Sequence, residues 1–155
     1  MPRSLPQGPI LVDASFVLGL LFGEQAAVRF SAVLSRASMV DVNLGEVFCE
    51  IDQRVPTAPK EIAEALSAQG LRVIPVGIAG AAHFPWLKTL DQNHRVHQWA
   101  KGIPDQDIRS LSLADLACLS VAIDRRLPIL TGERHWPALG VDVPIEDYRD
   151  PDLVL

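Results

Sequence analysis

An α/β sandwich around a mostly parallel sheet is the fold class this sequence predicts. Three observations carry that expectation. Short continuous apolar runs such as Ile10-Leu11-Val12 suit buried parallel strands, segments of helical apolar spacing lie between them, and turn or capping residues mark the changeovers. The 155 residues, 48% of them hydrophobic, supply one packed core, so a single domain over residues 1–155 is expected. A charged fraction of 21% and a mean hydropathy of +0.19 set the chain apart from disordered compositions.

Taken in order, residues 1–9 hold three prolines and a glycine and read as a loose lead-in. The run 10–12 is the first strand; it stops at Asp13, and residues 16–22 continue as a helix. A second helix is expected over 26–36 and a second strand over 39–42. Asn43-Leu44-Gly45-Glu46 then opens a helix running to about Arg54. Residues 57–69 form a helix with Pro59 in its first turn, ended by Gly70 as a left-handed residue, and 71–76 is a strand. Two short helices, interrupted near Pro85 and Asp91 and closed by Gly102, are expected between 78 and 101. Ser112 starts a strong helix to Arg126, with Leu116, Leu119, Ala122 and Ile123 at helical spacing and Arg125 and Arg126 beside its negative end. Residues 128–130 form a strand, 131–133 a turn, and 141–145 the last strand.

Composition also excludes function classes. A membrane span needs roughly 18–20 apolar residues. The run Phe16 to Phe22 is far shorter, and Val73 to Leu87 is broken by Pro75, Gly77, Gly80, His83 and Pro85. Asp13 interrupts the apolar stretch behind Arg3 and no small-residue cleavage site follows, so no secretory signal is expected. Cys49 and Cys118 belong to no metal-spacing motif and read as buried, reduced thiols of a cytoplasmic protein. With 14 Lys plus Arg against 19 Asp plus Glu, the net charge is −5, and the whole-protein basic field of a generic nucleic-acid binder is absent. Local basic clusters can still reach a phosphate backbone.

In a parallel sheet, ligands bind outside the carboxyl ends of the strands. Four acids fall there: Asp13 after the first strand, Glu46 at the helix following the second, Asp115 in the first turn of the strong helix, and Glu133 after Ile129-Leu130-Thr131. Each has a polar companion, respectively Ser15, Asn43, Ser112 and Thr131. Singly, each has a plainer reading. Asn43-x-x-Glu46 and Ser112-x-x-Asp115 match capping boxes, Asp13 an Asx-type turn, and Glu133 a solvated turn residue. Their conjunction favours a site, because four carboxylates in a poorly solvated cleft repel one another unless a cation joins them. An oxygen-only donor set selects hard metals, Mg²⁺ or Mn²⁺, over Zn²⁺. Such an ion activates water and stabilises a leaving oxygen, the logic of nucleases.

These residues resemble the PIN-domain ribonucleases, and within them the VapC-like toxins of bacterial toxin–antitoxin pairs. The resemblance runs from Ile10 to Ile145. It rests on Ile10-Leu11-Val12-Asp13-Ala14-Ser15, Val42-Asn43-Leu44-Gly45-Glu46-Val47, Leu111-Ser112-Leu113-Ala114-Asp115-Leu116-Ala117, and Leu127-Pro128-Ile129-Leu130-Thr131-Gly132-Glu133-Arg134-His135-Trp136. It implies a three-layer α/β/α sandwich and metal-dependent endonucleolytic cleavage of RNA, leaving a 5′-phosphate and a 3′-hydroxyl. A homodimer and a small antitoxin masking the site are also implied. Asp13, Glu46 and Asp115 match the family's acids. At the fourth position the family usually has aspartate where this sequence has Glu133, one methylene longer. Ser15 and Thr131 match supporting hydroxyl positions, and Asn43 a polar helix-start position.

Arg134, beside Glu133, is a secondary candidate for a phosphate contact, set against the ordinary solvated arginine of a turn. His94 and His97 share a helical face without acid or cysteine companions at zinc spacing, and Trp86, Trp99 and Trp136 read as core or interface residues. Two rivals remain. One is a catalytically weak PIN domain serving as an RNA- or protein-binding module, motivated by Glu133 and the acidic balance. The other is an aspartyl-nucleophile phosphotransferase built on Asp13, which lacks the second acid two positions on because Ser15 stands there.

Overall fold

Ile10, Leu11 and Val12 are sealed from solvent and form the middle strand of a five-stranded sheet. The computed structural model describes residues 1–155. In chain order the elements are β1 (Arg3–Ser4), β2 (Ile10–Val12), α1 (Ala14–Leu21), α2 (Gln25–Val28), β3 (Ala37–Val40), α3 (Asp41–Asp52), α4 (Pro59–Ala68), β4 (Arg72–Ile74), α5 (Gly77–Ala81), α6 (Phe84–Ala100), α7 (Leu113–Arg125), β5 (Ile129–Thr131), β6 (Ile145–Asp147) and β7 (Leu153–Val154). The sheet order is β4-β3-β2-β5-β6 and every neighbouring pair is parallel.

Side chains alternate across a strand, so β2 feeds two cores. Ile10 and Val12 pack with Phe16 and Val17 of α1, Val47 of α3 and Leu66 of α4. Leu11 packs on the opposite face with Leu87 of α6 and Leu116, Leu119 and Ala122 of α7. Each buried Leu, Ile, Val or Phe among them contributes about 1.5–3 kcal/mol, and the two cores make the three α/β/α layers. Helices α1 and α3 begin, and the helix preceding β5 also begins, at the carboxyl edge of the sheet, which is why the four acids are carried there.

Several boundaries differ from those expected. The second strand is 37–40 rather than 39–42, because Asp41 and Val42 are exposed and already lie in the first turn of α3, where Asp41 suits the helix dipole. The expected helix 26–36 is broken: α2 stops at Val28 and a 3₁₀ segment covers Ser31–Arg36. At the break Phe30 is buried, and Arg29 reaches away to the carbonyls of Tyr148 and Asp150. The region 78–101 holds α5 and one long α6, not helices interrupted at Pro85 and Asp91. Pro85 lies in the first turn of α6, where no amide partner is lost, and Asp91 is buried because its carboxylate accepts the Leu111 N–H at 3.2 Å. The last sheet strand is 145–147 rather than 141–145, since a 3₁₀ turn at Trp136–Leu139 takes up chain first.

The lead-in is not loose throughout. Arg3–Ser4 pairs in parallel with Leu153–Val154, Leu5 is buried, and Arg3 bridges to Asp150 and Glu146. Cys118 is buried as expected, whereas Cys49 is exposed, because α3 turns Val47 and Ile51 inward instead. The expected ends of α4 hold: Pro59 starts it and Gly70, at φ +95°, follows it, where a Cβ would stand 2.9 Å from Ser35 Cα.

Candidate active site

Asp13 is the N-cap of α1 and is only 3% exposed, so its charge must be met by hydrogen bonds from the chain itself. The Ser15 hydroxyl donates to Oδ1 at 2.7 Å, with Oδ2 at 2.9 Å, the Thr131 hydroxyl donates to Oδ2 at 2.8 Å, and the Phe16 N–H donates to Oδ1 at 3.2 Å. Ser15 Oγ accepts the Gly132 N–H at 2.8 Å and Thr131 Oγ1 accepts the Glu133 N–H at 3.0 Å. The segment carrying Glu133 is thereby tied to the end of β2. Burial nevertheless pushes the Asp13 carboxyl up to about 6, against the lowering pull of these donors.

Asp115 does cap α7: it accepts the Ser112 N–H at 2.9 Å while Ser112 Oγ accepts the Asp115 N–H at 3.1 Å, a complete capping box. It also belongs to the acidic group. Burial, and then the charge of Glu133, raise its pKa against the Ser112 hydrogen bonds. Glu46 does not cap, because α3 begins five residues before it, with Val40 at the cap position. It stands open to solvent on one side. Partial desolvation, followed by the charges of Asp115, Asp13, Glu133 and Glu50, pushes its pKa up to about 7. Asn43 is 1% exposed and donates to the Ala114 carbonyl at 3.2 Å, which fixes α3 against the start of α7, while its Oδ1 is buried without a partner.

The four acids therefore share one electrostatic field at one edge of the sheet. No three acidic, histidine or cysteine side chains converge closely enough to cage an ion as they stand. Glu133 Oε2 lies 3.6 Å from His135 Nδ1, and burial lowers the His135 pKa, keeping that ring neutral. Arg134 turns outward to Asp147 at 3.5 Å. His94 faces His135 with ring centroids 6.5 Å apart. Of the tryptophans, Trp136 is buried and Trp86 and Trp99 are 45% exposed.

Sequence reasoning missed the support behind the site. Tyr148, the only tyrosine, is fully buried, stands edge-on to Phe16 with centroids 5.5 Å apart, and donates from its hydroxyl to Glu24 at 2.9 Å. Burial, and then that hydrogen bond, raise its pKa. Arg149 donates through Nε to Glu24 at 2.7 Å and through Nη1 to the Gly132 carbonyl at 3.2 Å. A lone tyrosine next to an arginine just past the last sheet strand was the available signal. Gly132 is required here, since a Cβ would lie 2.6 Å from Arg149 Nη1 and 2.9 Å from Tyr148 Cε1. Gly132→Ala is expected to cost about 1–3 kcal/mol by this overpacking, read as a lower thermal midpoint. An unchanged midpoint would show that the Arg149 contact yields freely.

No protein-family model matches the chain, and no curated protein matches it. Solved structures do. A DNA-bound VapBC from Salmonella typhimurium is 18% identical over 92% of this chain and 99% of that one, with a TM-score of 0.59. FitAB bound to the IR36 DNA fragment is 14% identical over 90% and 95%, with a TM-score of 0.63. The fold is a PIN-like three-layer sandwich. Mycobacterium tuberculosis VapC20, described as a Sarcin-Ricin loop cleaving toxin, shares this PIN-like fold at 18% identity over 87% and 98%, with a TM-score of 0.51. No helix of the chain is long and apolar enough to cross a membrane.

Proposed function

We propose that the chain is a Mg²⁺- or Mn²⁺-dependent endoribonuclease and the toxin of a toxin–antitoxin pair. The observation that carries this reading is the gathering of Asp13, Glu46, Asp115 and Glu133 at one edge of the sheet, where burial first and neighbouring charge second raise the pKa of the first three and no lysine or arginine pairs with any of the four. The donor set is all oxygen, which suits a hard divalent ion, held by Asp13, Glu46 and Asp115 with Glu133 contributing directly or through water. When bound, such an ion supplies a more acidic water and charge neutralisation at a phosphate.

The chain's own residues prepare that chemistry. Ser15 and Thr131 fix the Asp13 carboxylate before any ligand arrives, so little ordering is left for binding. Ser112 takes Oδ2 of Asp115 and leaves its Oδ1 for a ligand. Glu46, its carboxyl pushed up to about 7, would give up its proton to let the group hold a cation. Asn43 holds α3 to the residue before Asp115 and so sets the approach of Glu46 to Asp115.

RNA as substrate agrees with the description of VapC20, and an antitoxin partner agrees with the VapBC and FitAB complexes. A homodimer and a cytoplasmic setting complete the reading. One observation favours the alternative of a binding module: the Glu133 carboxylate faces His135. Purified protein incubated with a mixed structured RNA pool in Mg²⁺, Mn²⁺ or EDTA decides between them. Cleavage dependent on metal and lost in a folded Asp115→Asn variant is expected. No cleavage in either metal by folded, antitoxin-free protein would leave the binding module.

A further inference from the structure

On the α1 face of the sheet a polar cavity of about 370 Å³ adjoins the acidic centre, lined by Ser15, Phe22, Glu24, Arg54 and Arg149 among others. Ser15 is the shared wall, since its hydroxyl donates to Asp13. Arg149 is held in place there by Glu24, whose carboxylate offsets its charge. Arg54 is different. It lies just past the end of α3 with its guanidinium carbon 4.2 Å from the centroid of Phe22, and no acid pairs with it. The stack orients the guanidinium plane and leaves its N–H donors for a ligand. Two guanidinium groups against one carboxylate give the cavity a net positive charge beside an acidic centre in a protein of net charge −5.

A second polar cavity, of about 260 Å³, adjoins the site through His135 on the α6 face. There Arg109 and Asp107 both line the wall and their formal charges sum to zero, against a net single positive charge in the first cavity. The anion-binding role therefore falls to the first cavity. We infer that the cavity holding Arg54 and Arg149 binds a backbone phosphate of the RNA strand as it runs from the acids along α1, with the Arg54 fork as its donor. Planar, paired N–H groups match two phosphate oxygens, and the assignment rests on the nuclease reading for the identity of the strand.

The test separates binding from turnover. Full-length protein carrying Glu46→Gln, which relieves repulsion and stops cleavage, is titrated in EDTA against labelled mixed-sequence single-stranded RNA over a series of salt concentrations. Adding Arg54→Gln is expected to weaken binding roughly 5-fold near 0.1 M salt and to reduce the slope of log K against log salt by about 0.7. Arg54→Lys, which keeps the charge and loses the fork, should restore the slope but not the full affinity. Arg72→Gln, the same charge change at the amino end of β4, should leave both unchanged. Equal binding by Arg54→Gln and its parent, an equal loss with Arg72→Gln, or no RNA binding by the parent each overturns the inference. Wild-type protein that binds RNA through Arg54 yet cleaves none in Mg²⁺ or Mn²⁺ would sink the nuclease reading and leave the phosphate site standing.

Discussion

Asp13→Asn is expected to lower metal-dependent RNA cleavage by at least ~100-fold, since even residues that only support metal ligands cost about 10- to 100-fold when lost. The substitution is chosen because it leaves shape intact. Asparagine is as good an N-cap as aspartate, so the Phe16 N–H keeps an acceptor, and the Ser15 and Thr131 hydroxyls can rotate to accept from the new amide. What disappears is one negative charge in a buried position. Burial disfavours that charge in the metal-free protein, so the variant should melt at the same temperature as wild type or higher at neutral pH. Loss of activity beside unchanged or increased stability separates a ligand from a structural residue. Cleavage rates in Mg²⁺ and Mn²⁺, measured alongside thermal melts, check both halves. A folded Asp13→Asn protein that cleaves at the wild-type rate would remove Asp13 from the chemistry.

Asp13 and Asp115 were legible in the sequence for different reasons. A buried three-residue strand ending in an acid is a local pattern, and so is Ser112-x-x-Asp115 before a strongly periodic helix. The second pattern carried two meanings, and both hold: Asp115 caps its helix and joins the acidic group. Glu46 shows why local reading stops short. The same spacing suggested a cap at Asn43, but pairing with β2 and β4 sets the strand at 37–40 and starts α3 earlier, which turns the supposed cap into consecutive positions on one helix face. Register against neighbouring strands is a long-range quantity that a four-residue strand cannot announce. The same limit hid the link from Glu24 to Tyr148 and Arg149, which joins residues more than a hundred positions apart. Asp91 looked like a helix breaker because its partner, the Leu111 amide, lies outside its own helix.

Without a divalent ion, the protein is expected to lose stability between pH 5 and pH 8 through its acidic centre. Folded Asp13 keeps its proton up to about pH 6, whereas its ordinary value is 3.8; Glu46 keeps its proton to about 7 against 4.5. Between those values the folded chain binds more protons than the unfolded one, so stability is fully present below the ordinary values and is lost as pH rises through the folded ones. For Asp13 the whole shift amounts to about 3 kcal/mol, of which roughly half falls above pH 5. Glu46 adds less, because its open side is screened by water. His135 pulls the other way: its lowered pKa makes the folded chain gain stability as pH rises toward the ordinary histidine value. Comparing wild type with Asp13→Asn cancels that term, and the difference should move the thermal midpoint by ~3–6 °C across the range. Mg²⁺ or Mn²⁺ at about a hundred times its dissociation constant should return about 2.7 kcal/mol at pH 8, and less at pH 5, where protons compete for the same oxygens. The gain should shrink in Asp13→Asn. Equal stabilisation of both proteins by the ion, or a wild-type midpoint that rises with pH relative to the variant, would show that the buried carboxylate is neither strained nor a ligand.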